Sequence, residues 1–243
     1  MRVTRYFWNI PIALIWTIWR NDALVNDAIR KVNLSPSSGE APSFRTIAEL
    51  VRFTEQRGII IPIEEVIAFL TAHFADGGAT VTGRPYSSGN SEKIGRERWP
   101  VLTLCDLPNG DDVWAVPYSS VKRNADDFDL TCPPTSYGDL RIAGKEMQQS
   151  LPNPLISRDG EDPETYARRL KSSEKIDLPI IAHAIGQNFP GLTQDRVGEL
   201  LPKKEGQTRG YEANRQRARE LRKEWERKYQ NNPLSIVFLP WDD

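Results

Sequence analysis

The 243-residue chain reads as an α+β protein, with N-terminal helices packed on a small antiparallel sheet and an all-helical C-terminal module behind them. Three observations predict this class. Apolar residues recur at spacings of three and four through the first 75 residues or so. The pattern then shortens to alternating runs broken by turn residues, with Asn109-Gly110 as the strongest hairpin signal. Helical spacing returns from Pro163 onward. Between the two regimes, residues 151–163 are dense in Pro, Asn, Asp and Gly and read as a linker, so the modules are expected at 1–150 and 164–243.

The first element is an apolar run from Phe7 to Trp19, polar only at Asn9 and Thr17. A spanning helix needs about 20 apolar residues, so this run is too short for one. The segment after it, Asn21 to Asp27, is a poor fit to a secretory cleavage site. Pro11 suits the first helical turn. Trp8, Ile12, Ile15, Trp16 and Trp19 then share one face, with Leu14 and Ile18 forming a second stripe, the mark of a helix buried on several sides. Asp22 can cap a continuation to about Lys31. Residues 33–43 read as a loop, and Ser43 can cap a helix bearing Phe44, Ile47, Leu50 and Val51 that stops at Gly58. Pro62 starts a helix carrying Val66, Leu70 and Phe74, ended by Gly77-Gly78.

Strands are expected at Ala79–Thr82, Trp99–Cys105 and Val113–Val121, the last two joined across Pro108 to Asp111, with a short strand at Asp139–Ile142 and a helical turn at Lys145–Ser150. In the C-terminal module the expected helices run from Asp162-Pro163 to Ser172, from Leu178 to Phe189, from a Thr193 cap to Leu201, and from Tyr211 to about Gln230. Residues 234–241 form an apolar tail expected to dock.

Composition narrows the function classes. With 39% hydrophobic and 27% charged residues, the chain is globular and not disordered. Two cysteines, Cys105 and Cys132, and two histidines, His73 and His183, are too few and too scattered for a disulfide framework or a paired-ligand zinc site. No metal and no cofactor is therefore expected. Gly138 and Gly144-Lys145-Glu146 approach a phosphate-binding loop but have the wrong glycine spacing, and Glu146 stands where Ser or Thr would hold magnesium. Cys105 beside Asp106 reads as a core cysteine, not a nucleophile. The acidic run at Asp126, Asp127 and Asp129 reads as solvated, and Glu64-Glu65 sit where a helix N-terminus favours negative charge. No catalytic residue is assigned.

The net charge of −1 conceals an asymmetry. Residues 203–231 hold ten Lys/Arg against five acids, +5 in all, which leaves −6 for the rest. A tight Pro190-Gly191 break, a short helix and then a basic helix make an order compatible with helix-turn-helix binding of duplex DNA. Thr208 and Arg209 fall at the start of the last helix. Arg215, Arg219 and Arg222 share one of its faces, with Arg217, Asn214 and Gln216 nearby. Against this, Glu220, Glu224 and Glu226 allow ordinary pairing within the helix. A solvated or protein-contacting helix stays open as the alternative.

Trp8 to Trp16, Arg20-Asn21-Asp22, the Ala79–Arg84 stretch, Arg98-Trp99 and Tyr137–Ile142 are similar to a loose group of uncharacterised bacterial proteins whose first helix has a W-x-x-x-R-D pattern. The likeness covers roughly the first 150 residues. It implies a bacterial cytoplasmic protein, in some members with a DNA-binding-like helical tail, and no activity. The sequence thus points to a non-enzymatic, cytoplasmic nucleic-acid-binding protein, a regulator being one use. The alternative is an interaction subunit using the long helix and tail to hold a protein partner or a second copy. No membrane contact is expected.

Overall fold

The computed structural model describes residues 7–33, 44–106, 112–121, 135–172, 176–202, 210–231, 234 and 236–238. The chain is mixed, with helices and a six-stranded antiparallel sheet, and separates into two compact units. Unit 1 comprises Met1–Pro152 with Phe238–Asp243, and unit 2 comprises Asn153–Val237.

Unit 1 is built around α1, Ile10–Trp19, all of whose residues are buried. Asn9 starts it by accepting from Ile12 N–H at 3.0 Å, and Pro11 sits in the first turn, where a missing N–H costs nothing. Trp8 differs from expectation. It belongs not to the helix face but to a short strand, β1 (Phe7–Trp8), and it packs at 5.9 Å from the Trp16 ring. Asn9 separates strand from helix, so the apolar run spans two elements.

Helix α2 covers Asp22–Asn33. Its cap is Asn21, whose Oδ1 accepts from Ala23 and Leu24 N–H, one residue before the expected Asp22. Helix α3 covers Ile47–Glu55 and begins three residues later than expected. The expected cap Ser43 lies outside the described residues. Phe44 adopts a left-handed φ of 48°, incompatible with a helix there, and Thr46 with Glu49 forms a reciprocal capping box. Helix α4, Ile63–Ala75, starts after Pro62 and ends as expected at the Gly77-Gly78 pair, which bonds back to Phe74 and His73 carbonyls.

The sheet has strands β2 (Val81–Pro85), β3 (Glu92–Lys93), β4 (Leu102–Asp106), β5 (Val113–Pro117) and β6 (Tyr137–Ala143). Its order is β3-β2-β6-β5-β4, and β1 also pairs with β6. The element expected to be a minor strand is therefore central. β6 holds β2 along one edge and both β5, at Ala115↔Tyr137, and β1, at Trp8↔Ile142, along the other. The strand expected from Trp99 begins only at Leu102, because Pro100 cannot donate to a ladder and residues 96–101 form a 3-10 turn. Likewise Pro117 ends β5, and Tyr118–Ser120 turn away. The expected turn Pro108–Asp111 lies outside the described residues, although β4 and β5 pair in register from Leu102↔Pro117 to Asp106↔Val113. Helix α5, Gly144–Ser150, follows β6 directly.

Glycines 138 and 144 owe their place to indoles, not to phosphates. A Cβ at Gly138 would lie 2.5 Å from the Trp114 ring, and one at Gly144 would lie 2.4 Å from Trp8. At the C-terminus, Phe238 N–H donates to Ile18 O at 2.6 Å, so part of the apolar tail is engaged at the end of α1.

Unit 2 contains α6 (Pro163–Ser172), α7 (Leu178–Asn188), α8 (Gln194–Leu200) and α9 (Tyr211–Trp225), which continues as a π-type turn, Glu226–Gln230. Asp162 caps α6 through Glu164 and Thr165 N–H. The core comprises Tyr166, Leu170, Ile181, Ile185, Val197, Leu200, Leu201 and Leu221 with alanines between them. Residues 153–157, read from composition as part of a linker, are tied down within this unit. Leu155 O accepts from Tyr166 Oη and Asn188 Nδ2, while Arg169 donates to Pro154 O and Ile156 O. Arg169 also grips Glu161 through two nitrogens at 2.9 Å, which holds that carboxyl down to about 2. Among the described residues no helix is long and apolar enough to cross a membrane.

Candidate functional site

The C-terminal helix is amphipathic for a simple reason. Asn214, Ala218, Leu221 and Tyr229 are buried, with Trp225 half-buried between them, and their spacings of three and four make one inward stripe. Apart from Tyr211 and Ala213 in its first turn, the rest of α9 is polar. Ala218 and Leu221 belong to the apolar core, and the approach to α8 is close enough that a Cβ on Gly198 would lie 2.0 Å from Asn214 O.

Thr208 and Arg209 lie outside the described residues. The other three expected binding residues have different surroundings. Arg215 is 4.0 Å from Glu212, Arg219 Nε donates to Gln194 Oε1 at 2.8 Å, and Arg222 Nε donates to Glu226 Oε1 at 3.1 Å. The expected Glu224–Lys228 pair is present at 2.6 Å, and Arg217 lies 4.0 Å from Glu220.

Two residues outside the expected arginine set complete a pattern. Lys223 and Arg227 are exposed, and neither is within ion-pairing distance of a carboxylate among the described residues. With Arg215 and Arg219 they stand at i, i+4, i+8 and i+12, a single ridge along the outer side of the helix. The ridge was legible in the spacing. It mixes arginine with lysine, so the arginines alone do not trace it.

Arg222 departs from that ridge toward a cleft of about 460 Å³ between α7, α8 and α9. Its walls include Ala182, Gly186, Leu192, Val197 and Ala218, and its polar lining Gln187, Gln194, Arg222, Glu226 and Gln230. The His183 imidazole lies flat on the Trp225 indole, 3.5 Å between centroids and 8° from parallel. Burial and the nearby Arg222 charge lower the His183 pKa against the opposing effect of Glu226, so the ring is neutral at neutral pH. Among the described residues Trp225 Nε1 is buried with no hydrogen-bond acceptor, an arrangement that costs about 1–3 kcal/mol for a typical buried donor.

The remaining chemically suggestive residues are structural. Asp106 accepts from Ile47 and Ala48 N–H at 2.7 Å and thereby anchors the start of α3 to β4. His73 Nε2 meets Ser150 Oγ at 2.9 Å, but that hydroxyl donates to Glu146 O, its own helix carbonyl, which leaves the imidazole as donor and the serine unactivated. Cys105 pairs with Trp114 across the β4–β5 ladder. Cys132 and Asp126 to Asp129 lie outside the described residues. Among the described residues no group of three His, Cys, Asp or Glu side chains is placed to hold a metal. A second cleft of about 580 Å³, in unit 1, is lined by Val101, Leu102, Tyr118 and Tyr137.

No family model matches the chain, and no match is found among curated proteins or solved structures.

Proposed function

We propose that the protein binds nucleic acid through the outer ridge of α9, with Arg215, Arg219, Lys223 and Arg227 contacting phosphates. The observation that carries this reading is the i, i+4 series of basic side chains, of which Arg219, Lys223 and Arg227 are exposed and Lys223 has no carboxylate within ion-pairing distance among the described residues. From Arg215 to Lys223 the ridge runs about 12 Å along α9, and Arg227 follows in the π-type turn. Over about 12 Å a duplex presents about seven phosphate charges. Arg222, paired with Glu226 beside the cleft, contributes less than the sequence alone suggests. Thr208 and Arg209, at the approach to the helix, remain part of the proposed interface.

In this reading the sheet-bearing N-terminal module serves sensing or protein contact and the helical C-terminal module serves the nucleic acid. A bacterial cytoplasm is the setting that the resemblance of the first 150 residues implies, and regulation is one use of such binding. The interaction-subunit alternative relies on a free apolar tail, and the Phe238–Ile18 bond already engages part of that tail within the chain.

The test compares two triple variants in fluorescence anisotropy with a labelled duplex. Arg219/Lys223/Arg227→Ala is expected to flatten the dependence of log affinity on log salt by about 2–3 units, at about 0.9 for each phosphate that is no longer neutralised. Arg215/Arg219/Arg222→Ala is expected to flatten it less. Equal effects, or none, would refute the assignment of the ridge.

A further inference from the structure

We infer that the cleft between α7, α8 and α9 is a binding site for a planar heteroaromatic ring carrying an anionic group, a nucleoside monophosphate being the fitting class. The volume, about 460 Å³, lies within the range of small-ligand sites, about 300–1,000 Å³.

Three features argue for an aromatic, polar-edged occupant. The His183–Trp225 stack provides flat surfaces at the cleft, and flat rings stack on such side chains at low entropic cost. Gln187, Gln194 and Gln230 supply amides that can both donate and accept, as the edge of a base requires. Arg219 already holds the oxygen of Gln194, which fixes the orientation of that amide. Arg222 has guanidinium nitrogens beyond the one spent on Glu226, and a phosphate can accept from them.

The fourth feature concerns why the cleft is open at all. Gly186 sits inside helix α7, where glycine costs about 1 kcal/mol relative to alanine. At Gly198 and Gly138 a neighbour explains the missing side chain, but a Cβ built at Gly186 meets nothing within 4 Å. Gly186 is an exposed residue of the cleft lining, and glycine there leaves the space beside it open.

This inference shares only Arg219 with the α9 ridge, through its bond to Gln194, and Lys223 and Arg227 do not line the cleft, so the two proposals fail separately. Calorimetric titration of the full chain with AMP, adenosine and inorganic phosphate tests the cleft. AMP is expected to bind with Kd below about 1 mM, adenosine about tenfold more weakly, and phosphate alone not measurably. Gly186→Leu should abolish AMP binding without lowering the melting temperature, because its Cβ meets nothing within 4 Å and the residue is exposed on the cleft lining. Arg222→Gln should erase the difference between AMP and adenosine. Gln187→Ala, a truncation at the cleft lining, gives the same reading if Gly186→Leu proves unstable, with AMP affinity expected to fall several-fold. Absence of AMP binding by the wild type would overturn the proposal. So would undiminished AMP affinity in a folded Gly186→Leu or Gln187→Ala variant.

Discussion

Two glycines on consecutive helices of unit 2 should respond to the same substitution with opposite signs. At Gly198 in α8, an added Cβ would lie 2.0 Å from Asn214 O, 2.5 Å from its carbonyl carbon and 2.9 Å from its Cα. All three are backbone atoms of α9, so no side-chain rotation can relieve the overlap. Gly198→Ala gains about 1 kcal/mol of helix propensity. Forcing α8 and α9 apart by about 1 Å costs more, since overpacking typically costs about 1–3 kcal/mol and sometimes more. The net expectation is a loss of up to about 2 kcal/mol. At Gly186 the same methyl meets nothing, so only the propensity gain remains, about 0.5–1 kcal/mol of stabilisation. Urea unfolding of both variants, followed by far-UV circular dichroism, measures the difference directly. Equal shifts of the same sign would refute the placement of α8 on α9 and, with it, the core that orients the basic ridge.

Trp16 is 3% exposed, packs on Trp8 and donates its indole N–H to Leu151 O at 3.0 Å; Trp16→Ala should therefore destabilise by about 3–5 kcal/mol, readable in the same assay. Thr46→Ala removes half of a capping box and should cost about 1 kcal/mol. Glu161 has a folded pKa of about 2, below its unfolded value, so its bond to Arg169 contributes fully above about pH 4.5 and is lost as pH falls toward 2. Over that window the unfolded chain binds more protons, so stability should fall with acidification. Glu161→Gln should lessen the fall.

Much of the fold was legible because it depends on local signals. Pro11, the helical spacing in α4, the Gly77-Gly78 stop and the Pro163 start all act within a few residues. The departures from expectation have equally local causes. Thr46-x-x-Glu49 is a stronger start signal than Ser43, and Pro100 shortens a strand that looks continuous by hydrophobicity. What could not be read was anything set by long-range pairing. Trp8 is in a strand only because Ile142 lies beside it, and β6 is central only because three strands choose its edges. The site divides in the same way. The ridge from Arg215 to Arg227 is a matter of spacing within one helix, whereas the cleft exists because His183 on α7 meets Trp225 on α9, 42 positions later in the chain.

Helix α9 and its continuation are proposed above all to present a row of basic side chains to a polyanion. The most direct measurement is the affinity of the intact protein for a short duplex across a salt series. With four basic residues on phosphates, the slope of log K against log salt should be about −3 to −4. Saturable binding at low salt with that slope is the predicted result. No binding at low salt, or an affinity indifferent to salt, would contradict it.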